Sequence, residues 1–325
     1  MNAPERKARF YVWDDYWQSE RVHSFGVDPN SDVAGAFQRH WNGIAGVLPS
    51  GAAVLDLACG NGAAGLAIAR AALANGTAIG ITAIDDAAID PPRYLSEYAD
   101  ILNTIAFRPR TSMELLPLED GAVDAVVSQF GIEYGNIPQA VAEAARVLKP
   151  NGLFSILALS VQTAAVQSAS SCLKQARYLL HEAPLFEDAL RIIQGFHEGP
   201  SETRDQKMRE ELGQFNGKVE KTVIRFDVKD IEVVSAIITC LNDVFIERNS
   251  KSLDEQLMTI QAVRTKLAHY AARCRATIKA AVGDTRLELL KAALLKSGLE
   301  VRDTRSLFVA GHGVIATQLS GQRRA

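Results

Sequence analysis

Residues 54 to 65 read Val-Leu-Asp-Leu-Ala-Cys-Gly-Asn-Gly-Ala-Ala-Gly, an apolar run that enters a glycine turn with one carboxylate, Asp56, inside the approach. An apolar run followed at once by glycines describes a buried strand that turns into a helix, the first step of a sheet covered by helices. Gly60, Gly62 and Gly65 also spell G-x-G-x-x-G, the pattern by which a helix amino terminus receives a dinucleotide pyrophosphate. The glycines by themselves leave the ligand open. Asp56 does not, because a carboxylate four residues before the first glycine opposes phosphate and favours a ligand that carries a cation.

S-adenosyl-L-methionine has an ammonium, a sulfonium and no phosphate, so turn amides can take its carboxylate while Asp56 supports the cationic side. The chain resembles the class I S-adenosylmethionine-dependent methyltransferases, whose first motif, hydrophobic-hydrophobic-Asp-x-x-x-Gly-x-Gly, is matched by Val54, Leu55, Asp56, Gly60 and Gly62. The resemblance implies that Asp56, Ala58, Gly60 and Gly62 form the floor of a donor site. Thr77 to Ile84 reads as the second strand, and the resemblance assigns the ribose hydroxyls to Asp85 at its end, with Asp86 as an adjacent competitor. Ser112-Met-Glu-Leu-Leu-Pro-Leu-Glu-Asp-Gly-Ala-Val-Asp124 is similar to the segment that meets adenine, except that Ser112 stands where the family usually has Asp. The adenine contact is therefore expected from Ser112 more weakly, or from the Met113 backbone. Ala125 to Phe130 resembles the fourth strand, Ala140 to Gly152 the helix and turn before the fifth, Leu153 to Leu159 the fifth itself, and Leu299 to Phe308 with Gly313 to Leu319 a final hairpin.

The implied fold is α/β: a Rossmann-like, doubly wound, mostly parallel seven-stranded sheet with a terminal antiparallel hairpin and a large helical insertion. Four segments are expected: an amino-terminal helical lid over 1–48, a donor-binding core over 49–160, a helical insertion over 161–283, and a final helix with hairpin over 284–325. The alternation of strands and helices stops near Ser160, and helical patterns follow, with a capping box at Ser252 and Glu255 opening a helix that runs towards Ile278. Only Val223 to Phe226 reads as extended there, and Gly195 to Asp205 reads as a loop or hinge. Relatives use such an insertion to shape the acceptor cavity or to dimerise, so a homodimer through it stays open alongside plain scaffold.

A chain of 325 residues with 47% hydrophobic residues can build a core without covalent staples. Its four cysteines show no C-x-x-C spacing, no two of its six histidines share ligand-like spacing, and no metal is expected. The formal charge of −3 supplies no basic stripe for nucleic acid. Met1 to Lys7 leads into aromatic and charged residues, not a secretory apolar run, and no membrane span is read; a cytoplasmic protein acting on a small molecule is expected.

Phe10, Tyr11, Trp13, Tyr16 and Trp17 crowd eight positions. Arg9 to Phe25 is expected as an amphipathic helix packed on the sheet, and in the lid reading Tyr16 or Trp17 faces the donor sulfonium by cation–π attraction. A second helix is expected over Val33 to Val47. After the fourth strand, Gln129 is expected beside the donor, Phe130 as a wall, Glu133 as a base or amine ligand, and Tyr134 as an acceptor-orienting group. His312, between two glycines, and His23 are alternative bases. The expected activity is in-line methyl transfer to oxygen or nitrogen of a small acceptor. Its rivals are an NAD(P)-dependent oxidoreductase using the glycines of 60–65, and a non-catalytic S-adenosylmethionine-binding scaffold.

Overall fold

The computed structural model describes residues 12–198, 202–227 and 230–325. Seven strands form one sheet: β1 (Ala52–Leu57), β2 (Ile79–Ile84), β3 (Ile105–Arg108), β4 (Val123–Gln129), β5 (Leu148–Ala158), β6 (Leu299–Val309) and β7 (Gly313–Arg323). They lie in the order β3-β2-β1-β4-β5-β7-β6. The first five are mutually parallel, and β7 runs antiparallel to both β5 and β6. The doubly wound sheet with its terminal hairpin is thus the expected fold. Strand order reverses between β1 and β4, and in such sheets that switch point opens a crevice beyond the strands' carboxyl ends.

Three helices flank the early strands: α1 (Asp32–Val47), α2 (Ala63–Ala74) and α3 (Ile137–Val147). Ser31 caps α1 by accepting from the Ala34 N–H, and Asn136 caps α3 by accepting from Gln139. Phe37 and Trp41 of α1 are fully buried, and two polar links tie this helix to the sheet. The Trp41 indole donates to Gln129 Oε1 at 2.7 Å, and His40 Nε2 lies 2.9 Å from Ser155 Oγ. Burial beside Arg305 holds the His40 imidazole down at about 4, so it bonds as a neutral ring.

The chain separates into two compact units, the described residues up to Gln167 with Ala276–Ala325, and Ser168–Arg275. Helices α4 (Ala164–His181), α5 (Leu185–His197), α6 (Glu202–Ile224), α7 (Glu232–Ile246) and α8 (Leu253–Ala280) supply the second unit, with α4 and α8 crossing its boundaries; α9 (Asp284–Lys296) belongs to the first. Leu185, Phe186 and Phe215 fill the helical unit. Its buried Asp188 is matched by Arg191 and Lys218, each at 2.6 Å, as a buried charge requires. Gln175 accepts from the Val233 and Val234 amides and donates to the Asp230 carbonyl at 2.6 Å. The capping box forms as read, Ser252 N–H donating to Glu255 Oε2 at 2.8 Å and Glu255 N–H to Ser252 Oγ at 3.3 Å. Among the described residues, no helix is long and apolar enough to cross a membrane.

Three local expectations are corrected. Val223 and Ile224 complete α6 and are not extended. Gly195 is not in a loop: it lies inside α5, where its missing side chain admits Met208 of α6. The amino-terminal helix is shorter than Arg9 to Phe25; Phe10 and Tyr11 lie outside the described residues, helix covers 12–17, and an irregular path follows. The carbonyls of Trp17, Ser19 and Arg21, which a continuing helix would use internally, instead accept from the Asn61 side chain.

Gly321 of β7 presses against the Glu300 carbonyl and lies so close to Phe154 that a Cβ would fall 2.8 Å from its ring. Gly321→Ala should cost on the order of 1–3 kcal/mol as an overpacked site, whereas Gly43→Ala, on an open face of α1, should gain about 0.5–1 kcal/mol; urea unfolding of both variants checks the pair.

Candidate active site

The crevice at the switch point encloses about 680 Å³ of space open to solvent on one side. The ends of β1 to β4 contribute. The turn after β1 brings Ala58, the loop after β2 brings Asp85, Asp86 and Ala87, and the segment after β3 brings Thr111 and Met113. Phe130, Gly131 and Tyr134 follow β4, and Trp13, Trp17, Ser24 and Phe25 close over from the amino-terminal segment. A smaller lobe of about 340 Å³ shares Trp17, Ser24, Ala58 and Phe130, and reaches Asp56 and Gln129.

Backbone geometry makes this convergence possible. Ala58, Gly60 and Gly62 all have positive φ, so the chain reverses tightly from β1 into α2. Gly60 lies flat beneath the Trp17 indole, with no room for a Cβ. At Gly62 a Cβ would stand 2.9 Å from Phe107. Gly65, by contrast, has ordinary clearance of 3.4 Å to Asp56 Oδ2. The first two glycines are thus demanded by close approach, and the third is not. Gly131 brings the loop after β4 equally close, a Cβ there falling 2.7 Å from that of Ala58, and Ser128 Oγ joins the two loops by donating to the Leu57 carbonyl and accepting from the Ile132 N–H.

Two carboxylates organise the turn. Asp85 Oδ2 accepts from the Gly60 N–H and Oδ1 from the Ala87 N–H, both at 2.8 Å. Asp56, 1% exposed, accepts from the Gly65 N–H at 3.1 Å through Oδ2, while its Oδ1 has no hydrogen-bond partner among the described residues. Burial, opposed by the Gly65 amide and reinforced by nearby Asp85, raises the Asp56 carboxyl from 3.8 to about 7. Gln129 presents the complement. Because its Oε1 accepts from Trp41, its amide nitrogen is the end left to donate into the small lobe.

The structure divides the expected site residues. Ala58, Asp85, Met113, Trp17 and Tyr134 line the crevice, and Asp56 and Gln129 line its small lobe. Tyr16 does not line it: its hydroxyl accepts from the Phe25 N–H at 2.9 Å and its ring stacks under Arg21. Gly62 caps α2, and Ser112 Oγ accepts from the Glu114 N–H. Glu133 is buried off the crevice; its Oε1 accepts from the Leu159 N–H at 2.6 Å, and burial raises its carboxyl from 4.5 to about 7. His312 is exposed in the β6–β7 turn, and His23 borders a different groove, against α1 and α2. Tyr134 alone among the expected catalytic groups reaches the crevice, with its hydroxyl donating to Thr277 at 3.2 Å and its ring edge-on to Trp13 at 5.4 Å.

Three contributors were missed. Trp13 lay unselected within the aromatic cluster, whose spacing gives no facing direction. Asp14 fastens the amino-terminal segment, accepting from the Ala88 N–H at 2.7 Å and from Arg110 at 2.6 Å, and Asn61 holds three carbonyls of the same segment. Their partners are largely backbone groups, which no residue pattern reveals.

Residues 55–156 match the model of a family described as a methyltransferase domain. Dimethylglycine N-methyltransferase of Parasynechococcus marenigrum is 31% identical over 147 residues, 44% of this chain and 51% of that protein. The 27-O-demethylrifamycin SV methyltransferase of Amycolatopsis mediterranei is 27% identical over 148 residues, 44% and 52% of the two chains. The chain spans about half the length of these curated relatives. A solved geranyl diphosphate C-methyltransferase from Streptomyces coelicolor, 12% identical, aligns over 99% of this chain and 98% of its own with a TM-score of 0.49.

Asp56 and Glu133 give the fold a pH signature. Both carboxyls titrate higher folded than unfolded, so from about pH 4 to about pH 7 the native state holds protons that the unfolded chain has lost, and stability falls as pH rises. Urea midpoints across that range should decline in the wild type, and Asp56→Asn and Glu133→Gln should each flatten part of the slope.

Proposed function

We propose, from the match of residues 55–156 to a methyltransferase-domain family, an enzyme that moves a methyl group from S-adenosyl-L-methionine to oxygen or nitrogen of a small molecule. The observation that carries this reading is the pairing of two acidic anchors with two joined lobes: Asp85 beside Met113 in the larger, Asp56 with Gln129 in the smaller. The adenosine lies in the larger lobe, where Asp85 accepts from the ribose hydroxyls and Met113 and Ala87 wall the base. The methionine part enters the smaller lobe, where its carboxylate meets the amides of the glycine turn and its ammonium meets Asp56 Oδ1, the buried oxygen with no partner among the described residues. A pyrophosphate would meet the same acids with the wrong sign.

Methyl transfer from sulfonium is an in-line displacement: the acceptor lone pair forms the new bond to the methyl carbon as the carbon–sulfur bond breaks, and the sulfur keeps that electron pair. Holding the acceptor close and in line is the main task. Trp13, Phe25, Phe130 and Tyr134 provide that confinement, and Tyr134 orients the acceptor through its hydroxyl. The names of the two curated relatives specify a nitrogen in one and an oxygen in the other, which supports either atom here.

Calorimetry with S-adenosyl-L-methionine and with its demethylated product tests the donor; binding of NADH in their place would overturn it, and binding without label transfer from a methyl-labelled donor to any small acceptor would leave the scaffold alternative. Asp85→Ala should weaken donor binding by on the order of 1–3 kcal/mol through loss of charge-assisted bonds and of the acceptor for Gly60. Because a cationic donor favours ionised Asp56, affinity should also tighten as pH rises through about 7 and release a proton below it; Asp56→Asn should abolish that dependence in titrations in buffers of different ionisation enthalpy.

A further inference from the structure

A side chain of the glycine turn hydrogen-bonds to the amino-terminal segment above it. Asn61, between Gly60 and Gly62, is fully buried. Its amide nitrogen is shared among the carbonyls of Trp17 at 3.1 Å, Ser19 at 3.2 Å and Arg21 at 2.9 Å. Those carbonyls fall where the chain leaves the 12–17 helix, so they have lost the partners a helix would give them. The same stretch places the Trp17 indole flat against Gly60, the point where the turn offers its amide to Asp85. Beyond Asn61 the segment is tied to the sheet by Asp14 at the β2 end, and to itself by the Tyr16 hydroxyl and the Phe25 N–H.

We propose that Asn61 is a positioning residue that latches the 12–27 segment over the glycine turn, so that breaking the bonds of this amide loosens the cover and speeds ligand exchange in the crevice. The inference rests on the donor reading for its consequence, while the latch itself does not depend on the ligand's identity. The turn that grips the ligand and the hook that holds the cover are then adjacent peptide units, and a shift of the turn is felt by the cover within one residue. An amide suits the task because only its NH₂ end offers two hydrogens to several carbonyls. Aspartate has the same shape and inverts the interaction, turning an acceptor towards three acceptors.

Hydrogen exchange followed by mass spectrometry on the full chain decides the matter. In Asn61→Ala, exchange of amides in 12–27 should rise by roughly tenfold, the equivalent of one lost hydrogen bond of about 1.4 kcal/mol, while β1 and β4 stay protected. Asn61→Asp should open the segment further, and Asn61→Ser is the substitute if either fails to fold. Stopped-flow tryptophan fluorescence should show the demethylated donor leaving Asn61→Ala at least several times faster than wild type, with a smaller change in its association rate. Unchanged exchange over 12–27 in folded Asn61→Ala overturns the latch, as does uniform loss of protection across the sheet, which would mark Asn61 as general scaffold. Wild-type protein that fails to bind the demethylated donor overturns the donor reading instead, and leaves the exchange comparison to decide the latch.

Discussion

Two carboxylates buried side by side at the ends of β1 and β2 are the constraint around which the rest of the first unit is arranged. Asp85 is tolerated there because backbone amides satisfy both its oxygens, and one of those amides belongs to Gly60. That bond requires the turn after β1 to reach across to the end of β2, and the reach requires positive φ at Ala58, Gly60 and Gly62. Asp56 is less fully matched. With one oxygen bonded and the other without a partner among the described residues, it is driven towards its neutral form by its burial. A cation entering the lobe would meet a group whose ionisation it restores, so in the proposed reading charge recognition and ligand-linked proton release would come from a single residue.

Polar anchors at the floor are matched by aromatic walls above. Trp13 and Tyr134 meet edge to face, as do Phe25 and Phe130, and Phe130 continues to Phe37 of α1. The walls therefore join the amino-terminal segment, the loop after β4 and the first helix into one packed layer. Rigid rings supply much contact area for few frozen torsions. Cys59, at the floor, is kept as an unreactive thiol by burial and by the two neighbouring acids.

Much of this could be read from the chain before any coordinates, and the reason differs by element. The strand-to-turn passage at 54–65 was legible because glycine and aspartate each had a separate physical task there. The cap at Ser252 and the helix over 33–47 were legible because local sequence alone decides them. The amino-terminal segment was not. Its aromatic spacing suited a long helix, but the Asn61 amide competes for the carbonyls at 17, 19 and 21, and a remote residue outweighs local propensity. Glu133 misled for a related reason: position after β4 promised access, yet the carboxylate turns inward to close the Leu159 amide at the end of β5. Position along a strand end is encoded locally, whereas the direction of a side chain is set by whichever distant group needs it.

The sheet's connectivity has a consequence for how the molecule is assembled. β5 ends at Ala158, and the strand that pairs with it, β7, begins at Gly313. All of the helical unit is made in between. A nascent chain therefore carries β5, buried in the finished protein along most of its length, with one edge unpaired while more than a hundred residues of helix emerge behind it. Such an edge is a template for other chains, and closing so long an excursion is slow. The sooner the helices between β5 and β7 fold, the shorter the period in which the open strand can meet another chain.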